Sequence, residues 1–137
     1  MSNPVDISPL ERTVVELAIA GDHPALAVLR EQWATAVLVE RSVTGAGLYA
    51  TFKIGAGTRV LVMPQNRRRI TIYDVLVEFP DIAPVGSLLY IDDGKLDVLE
   101  LFTISGPWPK DLSRFSARYD REPRPLEALA DVSPRTG

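Results

Sequence analysis

Apolar residues recur with a helical period at the start of the chain and with a period of two from about residue 35 onward. The first part contains two apolar stripes that are separated by only a few residues. We therefore expect two short helices that pack as a bent or antiparallel pair. Their stripes are Leu10, Val14, Leu17 and Ala18, followed by Leu26, Leu29 and Trp33.

The ends of both predicted helices carry capping signals. In Ser8-Pro9-Leu10-Glu11 the serine hydroxyl can cap the helix, the proline fits the first helical position, and the glutamate can return a hydrogen bond to the cap. Gly21 can take the left-handed conformation that ends this helix. Asp22 or His23 is expected to cap the second helix, with Pro24 near its first position.

The period of two predicts about five antiparallel strands. Their ranges are 35–42, 48–54, 70–79, 88–91 and 95–104, and 60–63 is a shorter candidate. Asp92-Asp93-Gly94 predicts a hairpin, either through a two-residue type I′ turn or through a three-residue turn with a bulge at Gly94. The predicted fold is therefore α+β, with an N-terminal helical pair packed on an antiparallel sheet of about five strands.

The C-terminal part of the chain loses this regular pattern. Residues 1–120 are expected to form a single α+β domain, and residues 121–137 a Pro-rich, loosely held tail. The segment 126–130 is able to form one helical turn that docks on the domain. We expect removal of the tail to leave the fold intact, because it holds few large apolar groups.

Composition narrows the classes of function. The chain has 137 residues, 46% of them apolar, a net charge of −3, one histidine and no cysteine. Disulfides, thiolate catalysis and thiolate metal sites are excluded, and neither nucleic acid nor an anionic membrane is an expected partner. No stretch resembles a targeting segment or a membrane span, so a cytoplasmic location is expected. No cofactor and no metal site are predicted.

Two charged residues interrupt strand faces that are otherwise apolar: Arg41 in the strand 35–42 and Glu100 in the strand 95–104. An unpaired buried charge is costly, so we expect Arg41 and Glu100 to meet in a partly buried ion pair or to line one polar pocket. The alternative is that a strand end or a bulge turns one of them to solvent. The residues expected to share their faces are Val37, Val39 and Val43 for Arg41, and Leu96, Val98, Phe102 and Ile104 for Glu100.

The strand 95–104 is apolar on its second face as well, at Leu99 and Leu101. A sheet with one solvated face does not need this pattern. We expect this face to be covered by Pro107-Trp108-Pro109 or by a second copy of the chain, which makes a homodimer a possible assembly.

Three further features are candidates for binding. His23 is the only histidine, and helix capping is its simplest role, although a helix N-terminus would also keep it neutral as a general base. Trp108 between two prolines can anchor a partner or cover the end of the core. Arg67-Arg68-Arg69 can bind an anionic group, but a solvated loop ahead of a strand is the favoured explanation in a chain of negative net charge.

A set of short motifs is spread in order over roughly residues 8–110. The motifs are Gly21-Asp22-His23-Pro24, Leu29-Arg30-Glu31-Gln32, Arg41, the segment from Thr44 to Phe52, Asp93-Gly94-Lys95-Leu96 with Leu99-Glu100, and Trp108-Pro109. In these motifs the chain resembles a small family of uncharacterised bacterial proteins. The family carries no established activity, cofactor or catalytic residue. The resemblance therefore implies a bacterial, cytoplasmic α+β protein and assigns no role to any residue.

The sequence favours a non-enzymatic protein-binding domain over an enzyme, since it has no recognisable nucleophile arrangement and no cofactor loop. Some proteins of this size and build neutralise toxins as immunity proteins, and by analogy an immunity-like role is the leading hypothesis. The alternative is a small-molecule enzyme or ligand-binding protein that uses a pocket near His23 or near Arg41 and Glu100. No catalytic residue is assigned, and the candidate binding residues are Arg41, Glu100, Trp108 and His23.

Overall fold

The computed structural model describes residues 6–133, in which two helices precede a seven-stranded antiparallel sheet. The helices are α1 (Pro9–Ala18) and α2 (Pro24–Thr35). The strands are β1 (Val37–Val43), β2 (Gly47–Lys53), β3 (Arg69–Ile72), β4 (Val75–Glu78), β5 (Val85–Asp92), β6 (Lys95–Thr103) and β7 (Ser116–Tyr119), and a short 3-10 helix covers Glu127–Leu129. The α+β class and the N-terminal helical pair are confirmed.

The capping signals act as the sequence predicts. The Ser8 hydroxyl accepts the Glu11 amide at 3.1 Å, and the Glu11 carboxylate accepts the Ser8 amide at 2.8 Å. His23 rather than Asp22 caps α2, and its Nδ1 accepts the Ala25 amide at 3.0 Å. Local side-chain chemistry therefore sets the start of both helices.

The sheet has seven strands rather than five, in the order β1-β2-β6-β5-β4-β7, and β3 also pairs with β5. The predicted strand 70–79 is two strands, and the alternation between them breaks where the consecutive residues Asp74 and Val75 are both buried. β7 has only four residues, too few for its alternation to be recognised. The candidate 60–63 forms no strand and makes a single bridge, from Val62 to Ser133.

The β5–β6 hairpin turns through two residues. Asp93 has φ +51° and Gly94 has φ +82°, which is the conformation of a type I′ turn and decides between the two predicted geometries. The turn lies against the loop before β3, where the Leu61 amide donates to the Gly94 carbonyl at 3.1 Å. A Cβ atom on Gly94 would lie 2.2 Å from the Leu61 carbonyl oxygen, so only glycine fits.

The two helices cover one face of the sheet: α2 contacts β6, and α1 contacts β4, β5 and β7. We call this the covered face, and its β6 residues Leu99 and Leu101 are fully buried. The helical pair covers Leu99 and Leu101, so theirs is the core face, and their burial requires neither Pro107-Trp108-Pro109 nor a second copy of the chain. The opposite face carries no helix within the described residues and is called the open face.

The segment expected to be a loosely held tail packs on the domain as far as it is described. Leu129 is fully buried and Val132 is nearly so, and the Ser133 amide pairs with the Val62 carbonyl. Arg124 donates to the carbonyls of Ala18 and Ala20 at the end of α1. Residues 121–133 therefore complete the core, while residues 134–137, and residues 1–5 at the other end, lie outside the described range.

Candidate functional site

A β-bulge in β1 decides where Arg41 lies. Leu38 pairs with Phe52, but the next pair is Glu40 with Thr51, so Val39 is the extra residue. The side chains beyond the bulge change faces, and Arg41 lies with Leu38 on the covered face. The prediction that Arg41 shares a strand face with Val37 and Val39 is therefore wrong, and both valines are exposed.

A second bulge, in β6, decides where Glu100 lies. Tyr90 pairs with Val98 and Ile91 with Leu96, so Asp97 is the extra residue. Leu96 consequently lies on the covered face, whereas Val98 and Glu100 lie on the open face. Arg41 and Glu100 are thus on opposite faces of the sheet, and the predicted pairing or shared pocket is wrong.

Arg41 pairs with Glu11 of α1 instead. Its Nε and Nη2 atoms donate to the two carboxylate oxygens at 2.7 and 2.6 Å, and Nη2 also donates to the Asp6 carbonyl at 2.9 Å. Burial by itself would raise the pKa of the Glu11 carboxyl, but hydrogen bonds from Arg41 and Ser8 and the Arg41 charge together hold this pKa below its ordinary value. These contacts join β1 to α1 and to Asp6, which precedes α1.

Two tyrosines, Tyr90 and Tyr49, lie next to Glu100 on the open face. The Tyr90 hydroxyl donates to Glu100 Oε1 at 2.9 Å, and Tyr49 lies opposite Glu100 in the β2–β6 register. Burial, together with the hydrogen bond to Glu100 and its charge, raises the pKa of Tyr90 to about 12. A hydrogen bond to Glu100 and its negative charge also raise the pKa of Tyr49.

Apolar side chains surround this cluster. In the β5–β6 register Leu88 lies opposite Glu100, and Phe102 lies opposite Gly86. The Phe102 ring covers Gly86 so closely that a Cβ there would lie 2.3 Å from its Cζ atom. We define the Glu100 cluster as the open-face residues Tyr49, Leu88, Tyr90, Val98, Glu100 and Phe102, all half-buried except Tyr49, which is 42% exposed.

Glu100 differs from its charged neighbours on the same face. The Glu78 carboxylate accepts the Arg118 Nε at 2.8 Å. Arg69 lies 3.6 Å from Asp92 and stacks over the Tyr90 ring at 5.1 Å. Among residues 6–133, no basic side chain lies within 4.0 Å of the Glu100 carboxylate. The centre of the cluster is therefore a carboxylate that is hydrogen-bonded but not neutralised.

The other two predicted site residues have structural contacts. His23 uses its Nδ1 to cap α2. Trp108 packs edge-on against Phe79 with ring centroids 6.2 Å apart, and its amide donates to the Gly45 carbonyl at 3.0 Å. The structure therefore does not bring Arg41, Glu100, Trp108 and His23 together in one site.

Sequence reasoning missed Tyr49 and Tyr90 as members of the site. The alternation in 48–54 did place Tyr49 on the solvated face, which is the signal that was available. It also missed Gln32, a fully buried amide whose Nε2 donates to the Arg59 and Gly94 carbonyls and whose Oε1 accepts the Leu96 amide. The only sign of Gln32 in the sequence is that a polar residue lies three positions after Leu29, within an apolar stripe.

The surface cavities lie away from the predicted site residues. One of about 610 Å³ is lined by residues 63–68 and Asp93, and one of about 340 Å³ by apolar groups of Leu10, Leu112 and Phe115. Within residues 6–133, the histidine, aspartate and glutamate side chains form no group of three or more placed to hold a metal ion. No helix in this range is long and apolar enough to cross a membrane.

Comparison with protein-family models, with curated proteins and with solved structures finds no match to this chain. The resemblance to a family of uncharacterised bacterial proteins therefore stays a prediction.

Proposed function

We propose that the protein is a non-enzymatic binding domain whose open sheet face, centred on the Glu100 cluster, takes a protein partner. The observation that carries the proposal is the composition of this face. Aromatic and branched apolar side chains lie half-buried around a carboxylate on a rigid sheet. Tyrosine and other aromatic groups with a polar centre are typical of protein-binding surfaces.

The rigidity of the face supports the same proposal. β5 and β6, which carry Leu88, Tyr90, Glu100 and Phe102, are inner strands hydrogen-bonded on both sides. A surface held by two inner strands presents its side chains in a fixed arrangement, so a partner loses little entropy in ordering it.

The alternative, a small-molecule site near His23 or near Arg41 and Glu100, has less support. His23 caps a helix through Nδ1 and Arg41 is bound to Glu11, so both side chains already have structural contacts. Glu100 lies on an open sheet surface rather than in a cavity, whereas small-molecule sites are concave.

We further propose a cytoplasmic, immunity-like role, in which the partner is a toxin encoded beside this protein. The net charge of −3 supports a protein partner over nucleic acid, because nucleic-acid binding depends on neutralising phosphates. A second copy of the chain is the other occupant to consider for the open face.

The test is co-expression of the protein with the products of its neighbouring genes. We expect one product to arrest growth when expressed alone and the arrest to be relieved by this chain. Leu88→Lys places a cation directly opposite Glu100, an arrangement compatible with folding, and should abolish the relief. Val43→Lys makes the same change at a strand end that is 61% exposed and away from the cluster, and should keep the relief.

Relief that survives Leu88→Lys would contradict the assignment of the open face. Failure of every neighbouring product to bind the chain would contradict the immunity-like role. The molar mass in solution shows whether a second copy of the chain occupies the face instead. A dimer that Leu88→Lys dissociates would assign the face to a second copy.

A further inference from the structure

We infer that the Glu100 cluster recognises an arginine side chain of the protein partner, with the Glu100 carboxylate accepting the guanidinium and the tyrosine rings flanking it. This inference rests on the proposed function, because it names the chemistry of the group that the same face takes. It follows from the acceptor capacity, the ring arrangement and the charge balance of the face.

The carboxylate has capacity left for a bidentate donor. An ionised carboxylate offers about four acceptor positions. The Tyr90 hydroxyl takes one at 2.9 Å, and no basic side chain of residues 6–133 pairs with this carboxylate. The remaining positions are enough for the two that a guanidinium fork uses.

The tyrosines suit a planar cation. Tyr49 flanks Glu100 from β2 and, at 42% exposure, leaves part of its side chain accessible from solvent. Arg69 already stacks over Tyr90 at 5.1 Å, so Tyr49 is the tyrosine of this cluster that is accessible to a guanidinium from a partner. A guanidinium stacks on aromatic rings and pairs with a carboxylate at the same time, which an ammonium does less well.

The charge balance of β4, β5 and β6 points to Glu100 rather than to the other open-face carboxylates of these three strands. Glu78 is paired with Arg118, and Asp92 and Asp97 are paired with Arg69. Glu100 has apolar neighbours at Leu88 and Val98 instead. A carboxylate surrounded by apolar groups and two phenols is partly shielded from water. An ion pair with a cation of the partner is therefore stronger there than an ion pair between two exposed side chains.

A second copy of the chain fits this chemistry less well. The arginines of the open face, Arg69 and Arg118, are held by carboxylates of their own subunit. Each would have to leave those partners to reach Glu100 of another copy. An arginine from a different protein meets no such competition.

N-butylguanidinium is a suitable probe, because it presents the group without the rest of the partner. We expect its addition to the folded protein to give saturable NMR shifts at Tyr49, Tyr90 and Glu100. Glu100→Gln should weaken this binding by about tenfold, as expected for loss of a charge-assisted hydrogen bond. Glu78→Gln is the matched control on the same face, and should leave the binding unchanged because Arg118 already occupies that carboxylate.

Two further probes test the specificity. N-butylammonium should bind more weakly than N-butylguanidinium, and 1-butanol should give no saturable shift at Glu100. Leu88→Lys is a second variant that supplies an internal cation to Glu100, and it too should weaken the guanidinium probe. Absence of saturable shifts on the open face, or shifts that Glu100→Gln leaves unaltered, would overturn the inference.

The partner assay distinguishes failure of this inference from failure of the proposed function. If Leu88→Lys abolishes growth relief but Glu100→Gln retains it fully, the face binds the partner and the arginine assignment is wrong. If neither variant affects the relief of growth arrest, the open face does not bind the partner, and the assignment of a partner arginine to this face is wrong as well.

Discussion

The guanidinium of Arg124 joins the C-terminal segment to the start of β4 by pairing with the buried carboxylate of Asp74. Its Nε and Nη2 atoms donate to the two carboxylate oxygens at 2.7 and 2.9 Å. The same guanidinium donates to the Ala18 and Ala20 carbonyls and stacks over Tyr119 at 4.3 Å. One side chain therefore connects α1, the sheet and the last described segment.

We expect Arg124→Met to lower the free energy of unfolding by about 3 to 5 kcal/mol, because it leaves the Asp74 carboxylate buried without a cation. Urea denaturation measures the change. Arg121→Met is the control at an exposed position of the same segment and should change stability by less than about 0.5 kcal/mol. Equal effects of the two substitutions would show that the pair with Asp74 contributes little.

Truncation after Asp120 should destabilise the protein more than Arg124→Met does. The truncated chain loses Arg124 and also the buried side chains of Leu129 and Val132. Each large apolar side chain contributes about 1.5 to 3 kcal/mol when fully buried. A thermal midpoint that is unchanged by the truncation would restore the expectation from sequence that this segment is dispensable.

Stability should fall at acid pH through Glu11. The pKa of Glu11 is lower in the folded protein than its ordinary value of 4.5, so the unfolded state binds the proton more readily. The contribution of Glu11 is therefore complete above about pH 4.5 and is lost as pH falls through the folded pKa. In Arg41→Gln the burial of Glu11 is no longer offset by a cation, and this acid dependence should become shallower or reverse.

The exposed pair of Arg59 with Glu31 is the control for this experiment. Arg59→Gln should leave the acid dependence close to that of the parent protein, because exposed ion pairs contribute little. Denaturation with urea at a series of pH values gives both profiles. Parallel profiles for Arg41→Gln and the parent would contradict the role of Glu11.

Alkaline titration should report the Glu100 cluster directly. The pKa of Tyr90 is raised to about 12 from an ordinary value of 10, so the cluster stabilises the fold below pH 10 and loses this contribution between about pH 10 and 12. Glu100→Gln removes the negative charge and should lower the pKa of Tyr90 and Tyr49. Phenolate absorbance measures these pKa changes. The Tyr73→Phe variant lacks one exposed tyrosine, so its difference from the parent protein identifies the signal of that residue.

Two glycines of the β1–β2 connection should respond differently to alanine. A Cβ on Gly47 would lie 2.1 Å from the Leu101 carbonyl oxygen, which is backbone of the neighbouring strand and cannot move aside. A Cβ on Gly45 meets nothing within 4 Å. We expect Gly47→Ala to cost about 1 to 3 kcal/mol and Gly45→Ala less than about 0.5 kcal/mol in thermal denaturation. A larger loss for Gly45→Ala would contradict the packing described.

Features with a local cause were predictable from the sequence. The capping box of Ser8 and Glu11 and the turn at Asp93-Gly94 each depend on residues close together in the chain. The existence of the helical pair and of the antiparallel sheet followed from periodicity in the same way. Such interactions depend mainly on neighbouring residues and little on the rest of the chain.

Features set by distant contacts were not predictable. The bulges at Val39 and Asp97 shift the strand faces by one residue, and no residue type near them marks the shift. Glu11 and Arg41 are 30 positions apart, and Asp74 and Arg124 are 50 apart. Because the faces of Arg41 and Glu100 depend on these bulges, the prediction that both point into the core and pair with each other is wrong, and the bulge at Asp97 places Glu100 on the open face.

The position of Gly94 limits where this protein can be modified for experiments. Hairpin tips are common places to insert an epitope or a fluorophore-labelling peptide. Here the carbonyl of Gly94 accepts hydrogen bonds from both Gln32 and Leu61, so an insertion at this tip would separate the hairpin from α2. The exposed loop at Ala56 and Gly57 has no such contacts around Gly57 and is the place where a tag should be tolerated.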